Sequence, residues 1–426
     1  MKLHGFASVR DFWLHFGWGT ISGLVGAVAA FMYVAVMAIG MKHLWPEPHP
    51  VELFSGSWRT VVIMTVAGLI VGLLHHWRVA EEINVFEAIP KGTMELQVVP
   101  GAIINSLVTL IGGFSLGPEV PTGMLGGGLA VWLTERRRLP DSFKKINLMS
   151  GVSGAYAGLF TAPFGVFLML LELAHTQSVM YYGTLVIGAT AALLGFTVFY
   201  TATGDRFADV LRILDLPPYQ LEIWHIAIAI LLGLLGVVTA LLFAVTSRNL
   251  KRLVAPLQNT PVIRCTLAGF LLGLLAKVMP LTLFLGTEGL VEVTKNGTQL
   301  GIGFLLFAAL TKLLATSGAL ATGFIGGPIF PLFFVGGTIG EIISLLFPWI
   351  PVKLAVGCVM AAVPAALIPV PIALAVITAL ITSIRVEEII PVAVAALTAY
   401  FVLNGLILPD PTTSSQPPTP EVKHHA

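Results

Sequence analysis

Residues 354–384 form a run of 31 positions without a single Asp, Glu, Lys or Arg. Residues 146–171 and 223–247 are two further charge-free runs. Each exceeds the roughly 18 apolar residues that mark a segment able to cross a bilayer as a helix. Only 11% of the chain is charged and 56% is hydrophobic, with a mean hydropathy of +0.91; soluble domains carry about 25% charged residues. Inside hydrocarbon every backbone N–H and C=O must be paired within the protein, which leaves helices or a closed barrel. The short alternating strands of a barrel are not seen. The expected fold is therefore an all-α multi-pass membrane protein.

Apolar segments follow one another near 19–41, 60–75, 99–113, 121–134, 146–159, 163–175, 180–201, 223–247, 262–279, 301–316, 331–347, 352–367, 370–384 and 388–408. Several are too short to cross about 30 Å as straight helices. Many of the 44 glycines and 27 prolines fall at or near segment ends, so broken and re-entrant helices are expected. The N-terminus lacks a signal-peptide cleavage pattern, and the first span reads as a retained helix. Arg136, Arg137 and Arg138 with Lys144 and Lys145, and Arg248, Lys251 and Arg252, read as cytoplasmic loops. The Pro/Ser/Thr-rich tail, 409–426, reads as disordered, with no soluble regulatory domain after it. A net charge of +1 implies no nucleic-acid partner. Cys265 and Cys358, both in apolar segments, read as core residues rather than a disulfide or a metal site. No cofactor or metal is expected.

One motif occurs twice. Gly113-Phe114-Ser115-Leu116-Gly117-Pro118-Glu119-Val120-Pro121 matches Gly323-Phe324-Ile325-Gly326-Gly327-Pro328-Ile329-Phe330-Pro331 at five positions without a gap. Gly126 and Gly127 recur at the same offset as Gly336 and Gly337. Weaker pairs follow: 159–165 beside 367–373, and 86–93 beside 289–298. The chain thus reads as two homologous halves, about 1–210 and 211–408. Paired Gly/Pro interruptions in two apolar halves mark transporter or channel sites near the membrane midplane. Only the first copy carries a carboxylate, Glu119. An ionisable residue at such depth is costly and is a functional candidate by default.

A helix that begins at depth offers unpaired backbone N–H groups and a partial positive charge. Proline suits its first turn, and glycine lets backbone approach a ligand. Helices starting near Glu119 and near Ile329 can therefore aim their N-termini at one anion, modestly stabilising it while letting it leave. A carboxylate there competes with the anion for the same donors. Protonation would release it, so Glu119 is a candidate gate and proton acceptor.

These residues resemble the CLC family of chloride channels and chloride/proton exchangers. The family's gating motif, Gly-Lys/Arg-Glu-Gly-Pro, is similar to Gly117-Pro118-Glu119-Val120-Pro121. Its later Gly-Gly-x-Phe-x-Pro motif is similar to Gly326-Gly327-Pro328-Ile329-Phe330-Pro331. Residues 151–172, with Thr161-Ala162-Pro163, resemble its Asn-Ala-Pro helix. The likeness covers most of 85–405 and looks closest to a bacterial branch without a C-terminal regulatory domain. It implies a CLC-like two-half repeat in a bacterial inner membrane, assembled as a homodimer with one pore per subunit. It implies passage of a small inorganic anion, chloride first, through a channel gated by Glu119. Gly117, Val120, Ile329 and Phe330 are the anion-binding positions, with backbone N–H donors from Glu119, Val120, Ile329 and Phe330. A chloride/proton antiporter is the alternative.

The departures carry information. Pro118 replaces a basic residue, Val120 replaces a glycine, and Pro328 has no N–H to donate. Glu87 aligns with a pore serine, which makes it either pore-lining or a loop residue. The exchangers' inner proton-relay glutamate aligns with Leu173, which carries no proton; Glu172 beside it is either a substitute relay or a structural carboxylate. Lys312, in an apolar helix, either attracts anions or snorkels to an interface. Glu288 lines a vestibule or faces water. A reading from another class remains: Gly151-Val152-Ser153-Gly154 resembles a rhomboid protease motif, with Ser153 as nucleophile and His175 or His225 as base.

Overall fold

The computed structural model describes residues 8–45, 56–79, 93–174, 181–203, 214 and 216–407. These form fourteen α-helices and no strand: α1 (Val9–Leu44), α2 (Trp58–His76), α3 (Val99–Ile111), α4 (Glu119–Arg136), α5 (Ser142–Leu159), α6 (Pro163–Ala174), α7 (Tyr181–Thr203), α8 (Trp224–Val254), α9 (Pro261–Val278), α10 (Thr287–Thr322), α11 (Ile329–Leu346), α12 (Val352–Leu367), α13 (Pro371–Ile381) and α14 (Ile389–Ile407). Eight helices are long and apolar enough to cross a membrane; α3, α6, α12 and α13 are apolar but shorter.

Helices α4, α5, α11 and α12 are buried along most of their length. Helix α4 packs on α5, and α11 packs on α12. Around them α1, α8 and α14 keep large apolar side chains on their outer faces, among them Met32, Ile39, Leu231, Val238 and Phe401. An apolar exterior of this kind suits lipid rather than water.

Lipid gives no hydrophobic reward for helix association, so helices there associate largely through close backbone packing. Helices α1, α5 and α7 meet through a stack of glycines. A Cβ at Gly154 would collide with the Gly23 carbonyl, and one at Gly195 with the Gly154 carbonyl. Helices α2 and α9 run antiparallel, with Gly68 against Cys265 and Gly269 against Met64.

Two helix starts differ from the sequence-based expectation by ten residues or more. Helix α1 starts at Val9, ten residues before the expected 19. Ser8 caps it, its side chain accepting from the Asp11 N–H at 3.0 Å, and His15 stacks on Phe143 at 3.7 Å. Helix α10 begins at Thr287, where only 301–316 was expected. Glu288, Glu292, Lys295 and Asn296 dilute the apolar signal of its first part. Gly301, at φ 77° and ψ 156°, breaks the helix between the two parts.

The glycine stack yields a direct test. Replacing Gly154 by Leu should cost about 1–3 kcal/mol or more through overpacking. Gly17→Ala has open space within 4 Å and should not lower stability. Thermal denaturation of both variants in detergent measures the difference.

Candidate anion site

All five positions shared by the two motifs have a structural role. Gly113 and Gly323 both adopt left-handed backbone, φ 88° and φ 97°, conformations that glycine adopts without steric cost. Each turns the chain back after a helix, α3 in one case and α10 in the other. The phenylalanines that follow stack on each other, Phe114 on Phe324, with centroids 3.9 Å apart. Gly117 and Gly327 pair as an isolated antiparallel bridge, each N–H donating to the other's carbonyl at 2.8 Å. Pro118 and Pro328 then cap α4 and α11, and Pro121 and Pro331 lie in the first turns. The two copies of the motif therefore meet face to face, and two helices start from that meeting point.

Glu119, the first residue of α4, is fully buried. Its Oε1 accepts from the Ile329 N–H, the first of α11, at 2.7 Å. The N–H groups of Phe330 and of Glu119 itself belong to the first turns of the same two helices. Oε2 is buried without a hydrogen-bond partner. Cβ atoms at Gly117 and Gly327 would overlap the Glu119 carboxylate, so both glycines are needed to admit it. Val120 and Phe330 are buried beside it. Phe330 stacks on Phe160 at 5.6 Å, and Phe160 meets Tyr156 edge-on at 5.7 Å. The structure thus brings Gly117, Glu119, Val120, Ile329 and Phe330 together. Glu87 lies outside the described residues.

Glu172 is remote from this cluster in role. Its two carboxylate oxygens accept from Ile372 N–H at 2.8 Å and Ala373 N–H at 3.0 Å, at the start of α13. It caps a helix 200 residues away in the chain, the geometry of a structural carboxylate. Glu288 is exposed. Lys312 does not snorkel: it is fully buried. Ser153 donates to the Gly188 carbonyl at 2.8 Å, while His225 Nδ1 accepts from the Glu222 N–H at 2.8 Å. The serine–histidine contact that proteolysis needs is therefore not made by His225, and His175 lies outside the described residues.

Sequence reasoning missed the residues that hold the second motif in place. Asn105, fully buried on α3, donates to the Gly323 carbonyl at 3.2 Å and accepts from the Ile325 N–H at 3.3 Å. His75 Nε2 lies 2.7 Å from the same carbonyl. The available signal was a lone amide in an apolar helix, which must find a partner when buried.

The sequence model of the voltage gated chloride channel family matches residues 67–404. A protein of Pseudomonas syringae pv. tomato named as a chloride/fluoride channel protein is 28% identical over 414 residues, covering 91% of this chain and 84% of its own. Among solved structures, a CLC-type fluoride/proton antiporter superposes with a TM-score of 0.76 at 19% identity, over 94% of this chain and 97% of its own. A slow cyanobacterial Cl−/H+ antiporter superposes with a TM-score of 0.75 at 19% identity, over 92% and 94%. The two structures establish the fold. The chain belongs to the voltage-gated chloride channel (CLC) family and is an integral membrane protein of the anion-transport class.

The Glu172 cap is testable independently of transport. Removing a helix cap costs about 1 kcal/mol, so Glu172→Ala should lower the melting temperature measurably. Glu172→Gln, which keeps one acceptor oxygen, should lower it less.

Proposed function

We propose that the protein passes a small inorganic anion, chloride first, across a bacterial plasma membrane, with Glu119 as the gate. The observation that carries this reading is the 2.7 Å bond from the Ile329 N–H to Glu119 Oε1. It joins the carboxylate to the N-terminus of a helix that starts inside the protein. Such a terminus favours negative charge, and a halide presents the same charge as the carboxylate. Carboxylate and anion therefore exclude each other from these donors. When Glu119 is protonated or swings away, the Ile329 and Phe330 amides pass to the anion. The site holds the anion through dipoles rather than a cation, which keeps release fast.

Channel conduction is preferred to proton exchange because Leu173 offers no inner proton acceptor. Glu172 could serve only by giving up its bonds to Ile372 and Ala373. The antiporter is the second reading: the two solved relatives are named as antiporters, and Glu119 can itself carry a proton. Fluoride competes with chloride as the transported ion, since the curated relative is named for both. The assembly proposed is the family's homodimer.

Proteoliposomes loaded with chloride or fluoride separate these readings. Anion efflux recorded with external pH should proceed without stoichiometric proton uptake, and Glu119→Gln should raise efflux several-fold and abolish its pH dependence. Proton uptake locked to anion release would make the protein an exchanger. Flux unchanged in Glu119→Gln, with Ser153→Ala alone abolishing activity, would remove the transport mechanism.

A further inference from the structure

Helix α8 ends in three exposed cations, Arg248, Lys251 and Arg252. With Ser247 and Ala255 they line an open groove of about 420 Å³, within the range of ordinary small-ligand pockets, ~300–1,000 Å³. Ser247 donates to Ser317 Oγ at 3.0 Å, which ties this part of α8 to the second part of α10 and fixes one wall of the groove. Among the described residues no carboxylate pairs with any of the three cations. Other cations of the chain are engaged: Lys144 pairs with Asp141 at 3.0 Å, Arg137 lies 5.9 Å from the Trp18 ring, and Lys277 lies 3.5 Å from that of Trp58. Arg248 and Arg252 stand at i and i+4 on one helix face, a destabilising pair of like charges unless an anion joins them.

The apolar surface below the groove lies on the same face of the helix. Leu231, Leu234, Val238, Leu241 and Val245 are all exposed. Positions 231, 238, 245 and 252 are seven apart, as are 234, 241 and 248, so at 3.6 residues per turn the stripe runs directly into Arg248 and Arg252. From 231 to 245 it is about 21 Å long, more than one leaflet of a roughly 30 Å hydrocarbon core. Packing sets which end of the molecule this is. Arg59 donates to the Leu44 carbonyl at 2.8 Å, so α2 starts where α1 ends. A Cβ at Gly72 would collide with the Val262 backbone, so α9 starts where α2 ends. The end of α8, which leads into α9, therefore lies on the side where α1 begins. Arg137, over Trp18, puts Arg136 and Arg138 on that side too. The positive-inside rule makes it the cytoplasmic face.

We propose that this groove binds an anionic phospholipid of the cytoplasmic leaflet, with its phosphate between Arg248 and Arg252 and one acyl chain along the 231–245 stripe. A guanidinium offers a phosphate two parallel N–H donors in a fixed plane. Basic pockets between membrane helices at this face take acidic headgroups. The lipid supplies the negative charge that the three cations lack, and it braces α8 beside the Ser247–Ser317 bond. A soluble phosphate fits the cations but leaves the stripe unused. A zwitterionic lipid fits the stripe but brings a cation of its own to the groove. The site lies on the outer face of α8 and does not depend on how Glu119 gates.

Native mass spectrometry of the detergent-purified protein tests this with phosphatidylglycerol, phosphatidylcholine of the same chains, and glycerol 3-phosphate. Phosphatidylglycerol should bind about tenfold or more tightly than either of the others. Arg248→Ala/Arg252→Ala should weaken its binding about tenfold or more, and Arg248→Lys/Arg252→Lys should keep most of it. Lys42→Ala, in the last turn of α1 at the opposite face, should change nothing. Wild-type protein photolysed with a phosphatidylglycerol that carries its photoreactive group on the headgroup should be labelled within residues 244–255. Equal binding of phosphatidylcholine, full displacement by glycerol 3-phosphate, or undiminished binding by a folded Arg248→Ala/Arg252→Ala protein would overturn the proposal. If that variant does not fold, the wild-type labelling decides: label found only outside 244–255 overturns it.

Discussion

The structure around the site depends on one short piece of backbone pairing, the two N–H···O=C bonds between Gly117 and Gly327. They fix where two helices begin, 210 residues apart in sequence, inside an apolar protein. Backbone that is neither helix nor sheet is tolerated at membrane depth only where protein or a water-filled cavity satisfies it. Here each broken segment satisfies the other. The prolines at the next positions have no N–H to satisfy, and the phenylalanines before the bridge stack to seal it. What the bridge leaves to other partners is the first turn of each helix, and there the Glu119 carboxylate takes the Ile329 N–H.

The rest of the molecule supports this junction. Asn105 and His75 hold the Gly323 carbonyl from α3 and α2, so helices of the first motif's side clamp the turn of the second. Ser115 and Thr316 add a buried hydroxyl pair at 2.9 Å. Glu172 ties α6 to the start of α13. Each contact joins residues from distant parts of the chain, and each satisfies a polar group that hydrocarbon would leave exposed. Ionisable groups buried in this setting are functional candidates. Glu119 Oε2 is unpaired, and Lys312 is paired only to neutral carbonyls.

Much of this was legible in the sequence because the constraints are local. Long charge-free runs fix membrane helices through length alone, and each of the fourteen apolar segments corresponds to a helix among the described residues. The duplicated motif was visible because each matched residue serves its own backbone purpose, whether a left-handed turn, a stack, a bridge, a cap or a first-turn proline. Three features were not legible. The first part of α10 carries charges that hide it from a hydropathy reading. Lys312 was as consistent with snorkelling to an interface as with attracting anions, and only its burial against residues 282–284 removes the first. Asn105 and His75 act on a carbonyl more than 200 residues away, a relation that single-sequence periodicity does not encode.

The central claim is that the Glu119 carboxylate and the transported anion compete for the same backbone donors at the start of α11. Isothermal titration of chloride into purified wild-type protein and into Glu119→Ala measures that competition directly. Removing the carboxylate should tighten chloride binding by about tenfold or add a binding event absent from the wild type. Indistinguishable isotherms from two folded proteins would mean that the Ile329 and Phe330 amides are not the anion's site.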